Sequence, residues 1–253
     1  MKPSFLNHDH SIYVSMLQAK TPERVLELME KSKKDGAEAY GMQFCKMLSE
    51  YKNERVYKKL FEAAYPLPVY VTNYRTLRNE DKTDEELSQE LLELADCGAT
   101  LCDVMGDYFA PCKGEFTTDP VAVEKQKKLI EELHDRGAEV LMSSHVLEFT
   151  PAERVLEIAL GHQSRGADIC KIVTGASTRA EEIENLRIID MLKQNLKIPF
   201  LFLSGGECYI MRRIGGLLGC CMSLCVAEHD DNSTLSQPVL SELKIIHSLI
   251  KKH

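Results

Sequence analysis

Gly166-Ala167-Asp168-Ile169-Cys170-Lys171-Ile172-Val173 is a nearly continuous apolar run with one lysine inside it. Gly166 closes the amphipathic segment before it, and the run suits a strand covered on both faces by helices. A lysine in such a strand projects inward or sheds its charge, because lysine is rarely buried without a partner. Burial favours the neutral form of a lysine, and a neutral amine is what attacks a ketone. Lys171 therefore reads as a Schiff-base lysine. The plainer alternative is a lysine reaching out of a strand end, or one paired with Asp168 or Glu207.

Seven similar runs lie on either side. The eight expected strands are 11–17, 38–44, 67–74, 101–106, 139–145, 167–173, 198–204 and 219–226. Helical patterns fall between them at 21–34, 83–97, 119–136, 150–165, 178–194 and 236–251, with shorter helices after the second and seventh strands. Thr21-Pro22, Asp119-Pro120 and Thr150-Pro151 each offer a capping side chain followed by proline in the first turn. Thr83 with Glu86 makes a capping box. Gly36, Gly98, Gly137 and Gly166 each follow a helix and precede alanine. Eight β-then-α units without a linker predict a single (β/α)8 TIM barrel domain over 1–253. An open doubly wound sheet would carry a glycine-rich turn after its first strand, and none follows residue 17.

Composition narrows the function. With 253 residues, 44% hydrophobic and 28% charged, the chain has apolar material for one sizeable core. A net charge of −8 argues against a nucleic-acid partner. No apolar stretch is long enough for a membrane span or a signal peptide, so the expected location is the cytoplasm. The nine cysteines are scattered without metal-ligand spacing, as reduced thiols of a cytoplasmic protein would be. His8-Asp9-His10 precedes the first strand, at the wrong end of a barrel for a catalytic metal, and no metal or cofactor is expected.

In (β/α)8 barrels the chemistry sits at the C-terminal ends of the strands. That rule selects Gln43, Arg75, Asp103, His145, Lys171 and Ser204. His145 ends the strand next to that of Lys171, where an imidazole can accept and return a proton near neutrality. Arg75 and Arg212 offer planar donors for a carboxylate or phosphate. Ser204-Gly205-Gly206 reads as a phosphate loop or a plain tight turn.

These residues occur in an order that resembles the type I 3-dehydroquinate dehydratases. The resemblance rests on Thr72-Asn73-Tyr74-Arg75, Ser143-Ser144-His145 with Thr150-Pro151, and Gly166-Ala167-Asp168 with Lys171. It continues through Ser204-Gly205-Gly206-Glu207, Ile210-Met211-Arg212-Arg213-Ile214-Gly215, and Ser233 with Gln237. It implies a hydro-lyase of the shikimate pathway, in which Lys171 forms an imine with a carboxylated β-hydroxy ketone. His145 would move the proton, Arg212, Ser233 and Gln237 would hold the carboxylate, and Arg75 would lie near the departing hydroxyl. It also implies a homodimer.

The sequence departs from the family at the far end of the substrate. Gly41 and Gln43 stand where the family has a glutamate and an arginine that hold ring hydroxyls. Asn79, with Glu80 after it, stands where the family has a glutamate that orients the catalytic histidine. The reading is a Schiff-base dehydratase whose substrate differs at that end, with Gln43 contacting it and Asn79 or Glu80 orienting His145. A class I aldolase using Ser204-Gly205-Gly206 for phosphate, and a carboxylate-binding relative without activity, are the competing readings.

Overall fold

In the computed structural model, which describes residues 2–251, eight strands alternate with eight α-helices. The strands are β1 (Ile12–Leu17), β2 (Ala39–Gln43), β3 (Val69–Thr72), β4 (Leu101–Met105), β5 (Glu139–His145), β6 (Ile169–Ala176), β7 (Phe200–Gly206) and β8 (Met222–Cys225). The helices are α1 (Pro22–Lys34), α2 (Glu54–Ala64), α3 (Asp84–Cys97), α4 (Pro120–Asp135), α5 (Ala152–Ser164), α6 (Arg179–Asn195), α7 (Ile210–Leu218) and α8 (Leu240–Ile250). All paired strands are parallel, in the order β7-β6-β5-β4-β3-β2-β1-β8. The two edges approach each other where Cys221 N–H donates to Phe200 O at 2.9 Å, leaving a nearly closed (β/α)8 barrel. Among the described residues no helix is long and apolar enough to cross a membrane.

On β1 to β5 side-chain alternation separates the strand residues largely into two apolar clusters, whereas both faces of β6 and β7 belong to one. Ile12, Val14, Met16, Ala39, Tyr70, Leu101, Leu141, Ile169, Leu201 and Met222 belong to the cluster that fills the barrel and continues outward to α5 and α6. Tyr40, Met42, Val69, Val71, Cys102, Val104, Val140 and Met142 pack outward with residues of α1 to α4. A strand has a period of two, so this parity also directs Gly41, Gln43, Thr72, Asp103, Ser143, His145 and Lys171 inward. β5 and β6 pair in register, with Ser143 beside Lys171 and His145 beside Val173. That register brings the histidine and the lysine to one end of the barrel on neighbouring strands.

Local chemistry sets the helix starts. Thr21 accepts from Arg24 N–H, Asp119 from Ala122 N–H, and Thr83 and Thr178 each form a full capping box. Each such cap contributes about 1 kcal/mol. Two expected starts are corrected. Thr150 does not cap α5: its hydroxyl donates to Glu148 O, and Ala152 N–H is satisfied instead by the Glu184 carboxylate from α6. α8 begins at Leu240, not Ser236, because Pro238 cannot donate and Val226 with Val239 forms a β-bridge there.

Candidate active site

Lys171 is 4% exposed, and its Nζ donates to Tyr74 Oη at 2.6 Å, Tyr70 Oη at 3.1 Å and Asp103 Oδ2 at 3.3 Å. Its acidic partner is thus Asp103. Asp168 is occupied elsewhere, accepting from Val140 N–H and from His134. Asp103 also accepts from the hydroxyls of Tyr70, Tyr74 and Ser143. Burial pushes the Asp103 carboxyl up, but the Lys171 charge and the three hydroxyls together hold it below the usual carboxylate range. Burial first, and the Asp103 charge second, push both phenols well above theirs, so they remain donors. The ionised carboxylate thus keeps its protonated neighbours fixed around the Lys171 nitrogen.

His145 is held by a residue the sequence did not point to. Its Nδ1 lies 2.7 Å from Glu115 Oε2, and its backbone N–H donates to the same oxygen at 3.0 Å. With Nδ1 so engaged, Nε2 is the nitrogen free for the cavity. Burial pushes the Glu115 carboxyl up, but the His145 hydrogen bond and charge and the backbone N–H carry it below its ordinary value. Glu115 stands in the segment between β4 and α4, in a left-handed conformation at φ 49°. Arg165 pins that segment at both ends by donating to Gly106 O and Thr117 O, and it stacks on the Phe116 ring at 4.4 Å. The approach needs Gly106, where a Cβ would lie 2.5 Å from Glu115 O.

Asn79 and Glu80 do not orient His145. Asn79 is buried in a separate network with Asn73, the Tyr74 carbonyl and Lys52, while Glu80 accepts from Leu77 N–H. Arg75 is corrected as well. Its guanidinium bonds Asp84 and Asp107 and lies outside the cavity lining, so Tyr74 faces the site in its stead.

The cavity at the C-terminal ends of the strands has a volume of about 200 Å³. Lys171, His145, Tyr74, Gln43, Arg212 and Gln237 are among the residues lining it. A larger hollow of about 510 Å³ between α2 and α3 has no buried ionic group around it, and such groups single out the smaller one. Arg212 donates through Nε to Ser204 O at 2.9 Å and makes no ion pair among the described residues. Burial pushes its guanidinium down to about 10. Gln237 Oε1 is buried without a partner among the described residues. A half-buried guanidinium lining the cavity is suited to an anionic ligand, and the Gln237 oxygen to a hydroxyl donor. Ser233 is turned away, its hydroxyl closing a turn on Asp230 O, and Thr234 lines the cavity in its place.

At the opposite side Gly41 leaves no vacancy. A Cβ there would lie 2.2 Å from Met16 Sδ and 3.4 Å from a Tyr70 ring carbon. Gln43 lines the cavity, but its Oε1 already accepts from Gln18 Nε2 at 2.7 Å. The Ser204-Gly205-Gly206 segment is part of β7, paired with β6. The next two N–H groups, of Glu207 and Cys208, both donate to Ala176 O.

Sequence signals for the missed residues were uneven. Tyr70 and Tyr74 fall at inward-facing parity on an expected strand. Glu115 lies in an irregular segment with no periodicity, and only the length of the β4–α4 connection marks it as functional.

Three comparisons place this geometry among known proteins. The family profile described as Type I 3-dehydroquinase matches residues 15–253. A curated 3-dehydroquinate dehydratase of Geobacillus thermodenitrificans is 29% identical over 119 residues, a match spanning 46% of each chain. The match thus covers about half of that relative's length. The crystal structure of 3-dehydroquinate dehydratase from Geobacillus kaustophilus superposes with a TM-score of 0.82 at 15% identity, covering 98% of this chain and 94% of that one. The type I 3-dehydroquinate dehydratase of Clostridium difficile gives 0.79 at 16% identity, covering 98% and 95%. At these identities the structural likeness is one of fold.

Proposed function

The chain belongs to the type I 3-dehydroquinase family, and from that premise we propose that it is a Schiff-base dehydratase of a carboxylated β-hydroxy ketone such as 3-dehydroquinate. The observation that carries the reading is that Lys171 and His145, on neighbouring strands, line one cavity with Arg212. The Lys171 amine adds to the ketone carbon, and the resulting carbinolamine loses its oxygen as water to leave an iminium. That cation withdraws electrons from the adjacent carbon, whose proton becomes acidic enough for a histidine base. His145 Nε2 takes the proton. The resulting enamine expels the β-hydroxyl, which leaves as water carrying the proton returned by His145. Hydrolysis of the iminium then frees the conjugated enone and the lysine.

Each neighbour has a part in this sequence. Glu115 keeps Nδ1 protonated and stabilises the imidazolium that forms. Tyr74 and Asp103 fix the Lys171 nitrogen between them. Arg212 and Gln237 hold the carboxylate, which directs the ketone to Lys171. Against an aldolase of phosphorylated sugars stands the β6–β7 edge, where Ala176 O takes the N–H groups of Glu207 and Cys208 that would hold phosphate.

The test is the dehydration of 3-dehydroquinate, followed by the ultraviolet absorbance of the enone. His145→Asn is expected to lose roughly 10²- to 10⁴-fold in kcat while still forming the imine. Full activity in that variant would remove His145 from the mechanism.

A further inference from the structure

We propose that Tyr74 and Asp103 carry the protons of imine formation from the Lys171 nitrogen to the ketone oxygen, and that His145 serves only the later elimination. The inference rests on the dehydratase reading above and adds to it a second proton carrier, separate from the histidine.

Lys171 Nζ is ion-paired with Asp103 Oδ2 at 3.3 Å. An ammonium so paired attacks a ketone only after giving up a proton. Asp103 is near enough to take that proton, but its side chain has no exposed surface and is not among the residues lining the cavity. It therefore cannot deliver a proton to the substrate itself. Tyr74 spans the gap. Its hydroxyl accepts from Lys171 Nζ at 2.6 Å, donates to Asp103 Oδ2, and belongs to a side chain that lines the cavity. Tyr70 makes the same two contacts from a fully buried position, farther from the nitrogen at 3.1 Å. His145 is engaged elsewhere: its Nδ1 lies against Glu115, its ring meets Tyr74 edge-on, and among the described residues no hydrogen bond joins it to Lys171.

The proton balance closes within this cluster. One proton passes from the ammonium through the Tyr74 hydroxyl to Asp103, leaving a neutral amine and a carboxylic acid. The amine lone pair forms the C–N bond, and the carbonyl electron pair moves to oxygen. That oxygen, on a carbon now bonded to Nζ, is within hydrogen-bond reach of the phenol, and it takes the proton back from Asp103 through Tyr74. The nitrogen, which still carries a positive charge, gives a second proton to the pair by the same route. The oxygen receives this proton as the C–O bond breaks, and it leaves as water while the nitrogen lone pair closes the C=N bond. The iminium keeps one hydrogen, and Tyr74 and Asp103 end as they began. At each transfer the phenol oxygen gains one proton as it passes on another, so no phenolate forms and Tyr74 stays a donor throughout.

The experiment times imine formation by mixing protein with 3-dehydroquinate, quenching into borohydride and weighing the adduct on Lys171. It is run in His145→Asn, where elimination is blocked and no histidine titrates beside Tyr74. With every proton moved inside the site, the rate in His145→Asn is expected to match that of the wild type and to stay flat from about pH 6 to about pH 9. In His145→Asn/Tyr74→Phe the oxygen must draw its proton from solvent. Imine formation there should be slower by roughly 10-fold at pH 7 and roughly 100-fold at pH 8, falling further as pH rises. His145→Asn/Tyr70→Phe removes a hydroxyl from the same network and should keep the flat profile. A loss in the Tyr74→Phe protein that is equal at every pH would make Tyr74 a positioning residue and overturn the proposal. Slow or pH-dependent imine formation in His145→Asn itself would overturn it too, by assigning these protons to the histidine, and would leave the dehydratase reading intact. If the wild type traps no adduct on Lys171, the dehydratase reading falls and takes the proposal with it.

Discussion

Tyr74 touches both groups of the proposed mechanism: its hydroxyl oxygen lies 2.6 Å from Lys171 Nζ, and its ring stands edge-on to the His145 imidazole, centroids 5.1 Å apart. Replacing it by phenylalanine keeps the ring and removes the hydroxyl. Tyr74→Phe should lower kcat roughly 10-fold and move KM little, because the lost hydrogen bond positions the reacting nitrogen and not the carboxylate. Steady-state kinetics with single-turnover imine formation checks this. A change confined to KM would assign Tyr74 to substrate binding.

Glu115 has two separable effects on His145, geometry and charge. Glu115→Gln retains an acceptor for Nδ1 and removes the charge, so kcat should fall roughly 10-fold. Glu115→Ala removes both and should cost roughly 10²- to 10³-fold. The Glu115 carboxyl lies below its ordinary value of 4.5, so the contact is complete above that pH and is lost only as pH falls through the lower folded value. An acid limb of kcat centred above pH 4.5 therefore belongs to another group.

Arg212 sets function against stability. Its guanidinium is pushed down by burial and makes no ion pair among the described residues. Arg212→Met should raise KM roughly 100-fold by removing the carboxylate's partner. The same change should raise the Tm of the ligand-free protein by roughly 2–4 °C, since an unpaired cation leaves a partly apolar site. Calorimetry without ligand and kinetics with substrate test the two halves separately.

His162 makes acid stability titratable. Burial, and then the nearby Arg165 charge, push its imidazole down to about 3, and it is held between Ser144 Oγ and Cys170 Sγ. An unfolded histidine titrates near 6.5, so between those values the unfolded chain binds more protons. The contribution of neutral His162 is complete above pH 6.5 and is lost as pH falls towards 3. Its loss should follow a slope of about 1.4 kcal/mol per pH unit. Denaturant unfolding from pH 7 to pH 4 should lose stability more steeply in the wild type than in His162→Gln, the difference approaching that slope.

The fold was legible because alternation, caps and glycines agree along the chain. Every strand was located from apolar runs alone, and the strand-end rule already put His145 and Lys171 on neighbouring strands at one rim. Errors fell where tertiary contacts decide. Thr150 lost its cap role to Glu184, a residue on another helix. Arg75 sits at its strand end as the sequence suggests, but Asp84 and Asp107, brought in by later segments, take its guanidinium. Glu115 reaches His145 only because Arg165 and Gly106 fold its segment over the barrel, and no local pattern encodes that path. At Gly41 the sequence suggested a missing acid, whereas the structure has Met16 and Tyr70 in that volume.

The central claim is that Lys171 forms a covalent imine with the substrate. Sodium borohydride added during turnover, followed by peptide mass spectrometry, tests it directly. The account predicts loss of activity together with a reduced ligand adduct on the peptide containing Lys171, and no adduct in Lys171→Met. Dehydration that proceeds with no adduct on Lys171, or that persists undiminished in Lys171→Met, would contradict it.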